Sequence, residues 1–66
     1  MEYAIAKVVQ EGRHLGAECK GILGTWVIHE EQARDLNIGD HVLIRFALDD
    51  QFCNIISMEE LKKVLG

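Results

Sequence analysis

The sequence predicts a mainly β fold, a small five-stranded curved antiparallel sheet or barrel with a short helical turn and a C-terminal helix. Three observations support this prediction. Residues 41–48 alternate between two sets of side chains, which is the pattern of a half-buried strand. Glycines interrupt the other β-prone stretches, where they favour bends or bulges. The C-terminal segment opens with a serine followed three residues later by a glutamate, which is typical of a helix start.

The N-terminal part of the chain predicts a strand, a turn and a second strand. Residues 3–9 are mostly β-branched, small or aromatic, and residues 10–13 contain a glycine that can adopt the positive φ of a turn. Residues 15–20 alternate only weakly and include Gly16. We therefore expect this second strand to be curved or bulged.

A third strand and a helical turn are expected next. Residues 25–28 are strongly β-prone, and the composition then changes abruptly to polar helix formers at residues 29–35. In this segment His29, Ala33 and Leu36 have the spacing of one helix face. The turn should end before Gly39.

A hairpin follows. The alternation predicts a strand over 41–48, a loop of three or four residues around 49–50 and a strand over 52–56. One face of the first of these strands should carry Val42, Ile44, Phe46 and Leu48, and the other should carry His41, Leu43, Arg45 and Ala47.

The last element is a helix over 58–65. Ser57 is its expected N-cap, and Glu60 completes a capping box. Its apolar stripe, which we expect to pack across a face or mouth of the sheet, consists of Met58, Leu61, Val64 and Leu65. Residues 1–66 are thus predicted to form one domain, an OB- or SH3-like barrel that includes helix 58–65.

The size and the net charge of the chain disfavour several classes of function. A chain of 66 residues leaves little room for a water-excluding cleft, so we expect no enzyme and no cofactor. The net charge of −4 disfavours nucleic acid and anionic membrane surfaces as partners. The apolar runs fall far short of the roughly 20 residues that span a bilayer. With two cysteines and no signal-peptide pattern, the expected location is the cytoplasm.

Five potential metal ligands are dispersed through the chain: His14, Cys19, His29, His41 and Cys53. They lack the close pairs of a structural zinc site, so the competing interpretation is that Cys53 packs as a small apolar residue and His29 caps a helix. A small nickel or zinc carrier stays open as an alternative. Trp26 is either a core anchor or an exposed interface residue.

Two family resemblances bear on function. The segment Thr25-Trp26-Val27-Ile28, then residues 31–36 and Gly39-Asp40-His41-Val42, resembles the strand, helix and hairpin of AbrB-type swapped-hairpin regulators. That resemblance implies a dimeric DNA-binding transcriptional regulator. His29 stands where that family usually has a proline, and the family's basic N-terminal arm is missing here.

The longer resemblance is to the small barrel of the HypC/HupF hydrogenase maturation chaperones. It rests on residues 1–5, Lys7-Val8-Val9, Ala17, Ile28, residues 38–44 and the C-terminal helix. It implies a small barrel that docks on a larger protein. The family's metal-binding cysteine and its histidine are replaced by Glu2 and Arg45, so the iron chemistry is not implied.

We therefore predict a non-catalytic protein-binding adaptor or assembly chaperone of HypC-like type. Its partner is a larger protein, or a second copy in a homodimer that would enlarge the thin core. The predicted binding residues lie on the N-terminal strand and the 41–48 strand: Tyr3, Ile5, Leu43 and Arg45.

Overall fold

The strands close into a barrel in the computed structural model, which describes residues 2–66 apart from the side chains of residues 58 and 64. In chain order the elements are β1 (Glu2–Glu11), β2 (His14–Glu18), β3 (Trp26–Ile28), α1 (Glu30–Ala33), β4 (His41–Phe46), β5 (Phe52–Ile55) and α2 (Met58–Leu65). The predicted mainly β barrel with two short helices is confirmed.

Around the barrel the strand order is β1-β2-β3-β5-β4, and the ring closes between β4 and β1. Neighbouring strands are antiparallel except β3 and β5, which pair in parallel. The predicted antiparallel arrangement holds for the other four pairs and is wrong for this one. A closed ring with an odd number of strands cannot alternate direction at every step, so the five strands require one parallel neighbour.

The first hairpin turns through a glycine. Glu11 lies opposite His14, which leaves Gly12 and Arg13 as a two-residue loop. Gly12 has a φ of 59°, while no residue other than glycine has positive φ in the described chain. Glycine in the first loop position matches the type II′ turn, whose twist suits adjoining strands. β2 then pairs with β1 in continuous register as far as Glu18, so the expected bulge is absent from it.

The Gly39-Asp40 turn sets β4 against β1. Gly39 adopts a φ of 97°, and a carboxylate oxygen of Asp40 accepts a hydrogen bond from the Asn37 amide at 2.9 Å. The Val8 amide donates to the Asp40 carbonyl, and the Gly39 amide donates to the Val8 carbonyl, both at 2.8 Å. The turn therefore fixes the register in which β4 continues along β1.

Inward-facing side chains from all five strands fill the barrel. The buried core consists of Ala6, Val8, Ala17, Cys19, Trp26, Ile28, Ile44, Phe46 and Cys53. Trp26 packs on Phe46 with ring centroids 4.3 Å apart, and its Nε1–H donates to the Ala47 carbonyl at 3.3 Å. Trp26 is thus a core anchor, and Cys53 packs as a small apolar residue.

The hairpin between β4 and β5 differs from the prediction. β4 ends at Phe46, the loop spans residues 47–51 rather than three or four residues, and Leu48 is 72% exposed instead of facing the core. The carbonyl of Ala47 accepts from Trp26 Nε1 and from the Asp50 amide. These bonds turn the chain away from the strand direction directly after Phe46.

The helices follow the predicted starts but not all of the predicted packing. The Ser57 hydroxyl accepts from the Glu60 amide at 3.2 Å, which confirms the N-cap of α2. Leu65 is 77% exposed and Leu61 is half-buried, so the predicted apolar stripe of α2 does not pack as a whole. Its other two members, Met58 and Val64, have side chains that lie outside the described part of the structure. His29 occupies the N-cap position of α1 without a side-chain bond. Neither helix, within residues 2–66, is long and apolar enough to cross a membrane.

Candidate protein-binding surface

The four predicted binding residues lie side by side on the outside of the barrel. In the antiparallel register of β1 and β4, Tyr3 is opposite Arg45 and Ile5 is opposite Leu43. Directly opposite residues share a face of the sheet, and the alternate positions, such as Ala6 and Ile44, face the core. We call the surface formed by Tyr3, Ile5, Leu43 and Arg45 the outer face.

The outer face exposes both apolar and polar groups. Tyr3 is 40% exposed and Ile5 is 62% exposed, whereas Leu43 and Arg45 are half-buried. The Nε atom of Arg45 is buried and has no hydrogen-bond partner among the residues that the structure describes. Leaving such a donor unpaired costs about 1–3 kcal/mol, so this N–H does not contribute to the stability of the barrel.

A cleft continues the outer face toward β2. It has a volume of about 410 Å³ and is lined by Ile5, Lys7, Glu18, Lys20 and His41. Lys7 is opposite His41 on β4 and opposite Glu18 on β2, so these three side chains share the outer side of the sheet. Two lysines against one glutamate make this cleft locally basic in a chain whose net charge is −4.

A second groove lies between α1 and the strands and was not predicted. Its larger part, about 430 Å³, is lined by Arg13, His14, Leu15, Ile28, Glu30, Ala33 and Arg34. In the adjoining part the rings of His29 and Phe52 stack with centroids 4.9 Å apart. The residues come from the first hairpin, β3, α1 and the start of β5. Only the barrel closure brings them together, so no local sequence pattern signals the groove.

The five potential metal ligands are not brought together. Cys19 and Cys53 are buried in the core as free thiols, whereas His14, His29 and His41 are exposed. Burial raises the pKa of Cys53 to about 11, with a smaller contribution from the nearby Cys19. Over residues 2–66, no group of three or more His, Cys, Asp or Glu side chains has the arrangement of a metal site.

Comparison with protein-family models, with curated proteins and with solved structures gives no match to this chain. The resemblances to the HypC/HupF chaperones and to the AbrB-type regulators therefore rest on the residues quoted for them alone.

Proposed function

We propose that this chain is a non-catalytic protein-binding module, an adaptor or assembly chaperone of HypC-like type, that acts in the cytoplasm. It docks on a larger protein, or on a second copy of itself, through the outer face. The observation that supports this proposal is the adjacency of two cross-strand pairs, Tyr3 with Arg45 and Ile5 with Leu43.

The side chains of the outer face are suited to binding a protein. Tyrosine and arginine are enriched among the residues that dominate protein interfaces. Burying one exposed isoleucine or leucine side chain completely contributes about 1.5–3 kcal/mol. The exposed parts of Tyr3 and Ile5 lie next to each other on β1, so a partner can cover both at once.

The placement of the nucleophiles supports a non-catalytic role. Cys19 and Cys53 would be the strongest nucleophiles of the chain as thiolates, but both are buried and burial raises the pKa of each. Near neutral pH they stay protonated in the core. They therefore act as packing groups in this proposal, and the exposed side chains carry the function.

The test compares two leucines exchanged for the same charge. A protein retained by the immobilised chain from its native extract is purified, and its dissociation constant is measured against wild type, Leu43→Asp and Leu48→Asp. Leu48 is more exposed than Leu43, but it lies on the loop after β4 and lines a different cavity, together with Leu23 and Trp26. We expect Leu43→Asp to weaken binding at least about a hundredfold and Leu48→Asp to leave it unchanged.

A folding control accompanies this comparison. Because Leu43 is half-buried, circular dichroism must show that Leu43→Asp is folded, and Ile5→Asp provides a second variant at a more exposed position. If folded Leu43→Asp and Ile5→Asp both bind as tightly as wild type, the outer face is not the docking surface and the proposal is wrong.

A further inference from the structure

In the part of the chain that the structure describes, one edge of β1 has a strand partner along only half of its length. β1 pairs with β4 from Glu2 to Lys7, but its pairing with β2 covers only Lys7 to Glu11. After Glu18 the chain leaves β1 and enters the turns that lead to β3. Within residues 2–66, no strand therefore pairs with residues 2–6 of β1 along the edge that β2 occupies from Lys7 onward. We call this part of the strand the open edge of β1.

The hydrogen bonds of β1 show which backbone groups face this open edge. Val8 donates to Asp40 and accepts from Gly39, so its N–H and C=O point toward β4. Along a strand, successive residues direct these groups to opposite edges. Ala4 and Ala6 therefore bond toward β4, whereas the N–H and C=O groups of Tyr3 and Ile5 point to the open edge.

The basic cleft lies at the same edge. Ile5 and Lys7 line it from β1, and Glu18 and Lys20 line it from the segment that diverges from β1. The cleft has a volume of about 410 Å³ and extends across Lys7 to His41 on β4. Four backbone hydrogen-bonding groups and an excess of positive charge thus meet in one place.

We propose that the open edge of β1 binds an extended, acidic segment of the partner protein as an added strand. This inference rests on the proposed function for the existence of a protein partner, and it adds the chemistry of the partner and the mode of recognition. Tyr3 and Ile5 donate their N–H groups to the incoming strand and accept hydrogen bonds at their carbonyl oxygens.

The face of the incoming strand follows from the pleat. Side chains alternate between the two faces of a strand, so every second residue of the segment lies on the same side as Ile5 and Lys7. Acidic residues at those positions meet the ammonium groups of Lys7 and Lys20. The added strand would also extend the outer face beyond β1, because Tyr3 and Ile5 then contact neighbours on both sides.

A competing interpretation is that the lysines only protect the edge. Natural sheets place charged side chains, lysine above all, beside open edges to prevent pairing with other chains. On that interpretation the edge binds no added strand of either charge. The two interpretations therefore differ in a peptide titration.

Amide hydrogen exchange measured by NMR is the direct test. In the free chain, Ala4 and Ala6 amides should exchange slowly and Tyr3 and Ile5 amides rapidly. The probe is a short peptide in which valine alternates with glutamate, and the control peptide has lysine in place of glutamate. We expect the glutamate peptide to slow exchange at Tyr3 and Ile5 at least about tenfold, and the lysine peptide to leave it unchanged.

Several outcomes would overturn the inference. Slow exchange at Tyr3 and Ile5 in the free chain at low concentration would mean that the edge is already covered. Concentration-dependent protection without peptide would identify a second copy as the occupant instead. No effect of either peptide would support mere protection of the edge. Equal effects of both peptides would show that the edge adds strands without selecting acidic ones.

Two kinds of variant test the contribution of the backbone hydrogen bonds and the contribution of charge separately. N-methylation of Ile5 in a synthetic chain removes one donor at the open edge, while the ladder to β4 stays intact; binding of the glutamate peptide should weaken about tenfold. Lys7→Glu with Lys20→Glu should abolish the preference for glutamate, and Lys62→Glu with Lys63→Glu on exposed positions of α2 is the matched control. If Lys7→Glu with Lys20→Glu leaves peptide binding unaffected, the inference is contradicted. The proposed function is tested separately, by the loss of partner binding in Leu43→Asp.

Discussion

Removing one methylene from inside the barrel should destabilise it far more than the same change on the outer face. Ile44 is fully buried between Ala4 on β1 and Ile55 on β5, whereas Ile5 is 62% exposed on the neighbouring strand. Isoleucine and valine are both β-branched, so Ile44→Val and Ile5→Val keep the β propensity at each site. The two variants differ only in the environment of the lost carbon.

The expected magnitudes follow from burial. A domain of 66 residues has a total stability of about 3–10 kcal/mol, and a buried Ile→Val change costs about 0.5–1.5 kcal/mol. For a chain of this size a loss of about 1 kcal/mol lowers Tm by roughly 4–8 °C. Ile5→Val should change the free energy of unfolding by less than about 0.5 kcal/mol.

Urea and thermal denaturation followed by circular dichroism give both values. The unfolding slope m should be the same in the two variants, because neither changes the surface exposed on unfolding appreciably. If Ile5→Val costs as much as Ile44→Val, then Ile5 is a core residue. The separation of β1 into an inner and an outer face would then be refuted.

Three further predictions concern the helix cap, the thiols and nucleic acid. Ser57→Ala should lower the free energy of unfolding by about 1 kcal/mol in urea denaturation and reduce the helical Cα shifts of α2. Ser57→Asp keeps an acceptor for the Glu60 amide and should cost less. Equal losses in the two variants would show that the cap is not the cause. Burial raises the pKa of Cys53 from 9.0 to about 11, so the unfolded chain loses this proton at lower pH than the folded chain, and the free energy of unfolding should fall as pH rises from about 9 to 11. Cys53→Ala should make this fall with pH less steep. An equally steep fall in the variant would contradict the raised pKa of Cys53. At about 0.15 M salt, fluorescence anisotropy should show duplex DNA binding no tighter than roughly micromolar, and a nanomolar, steeply salt-dependent affinity would instead favour the AbrB-type alternative.

The sequence predicted those parts of the fold that depend on local pattern. The helix over 58–65 and its Ser57 cap depend on neighbours within one turn, and the strand over 41–46 depends on simple alternation. The end of that strand could not be predicted, because it depends on a residue distant in sequence. The Trp26 indole N–H donates a hydrogen bond to the Ala47 carbonyl, directly after the last strand residue. The parallel pairing of β3 and β5 likewise follows from closure of the ring, which is a property of all five strands together.

The candidate site was predictable in part for the same reason. Alternation along the sequence places Tyr3 and Ile5 on one face of their strand. It likewise places Leu43 and Arg45 on one face of theirs. Their juxtaposition required the register that the Gly39-Asp40 turn fixes through Val8. The open edge of β1 depends on where β2 diverges, and the α1 groove depends on closure, so neither has a local signal.

Mapping of the bound partner by NMR tests the central claim most directly. Amide and methyl shifts of the isotope-labelled chain are compared before and after saturation with the unlabelled partner. We predict that the largest changes and the loss of solvent access occur on the outer face, at Tyr3, Ile5, Leu43 and Arg45. Changes concentrated instead in the α1 groove, at His14, His29, Arg34 and Phe52, with the outer face unaffected, would contradict the account.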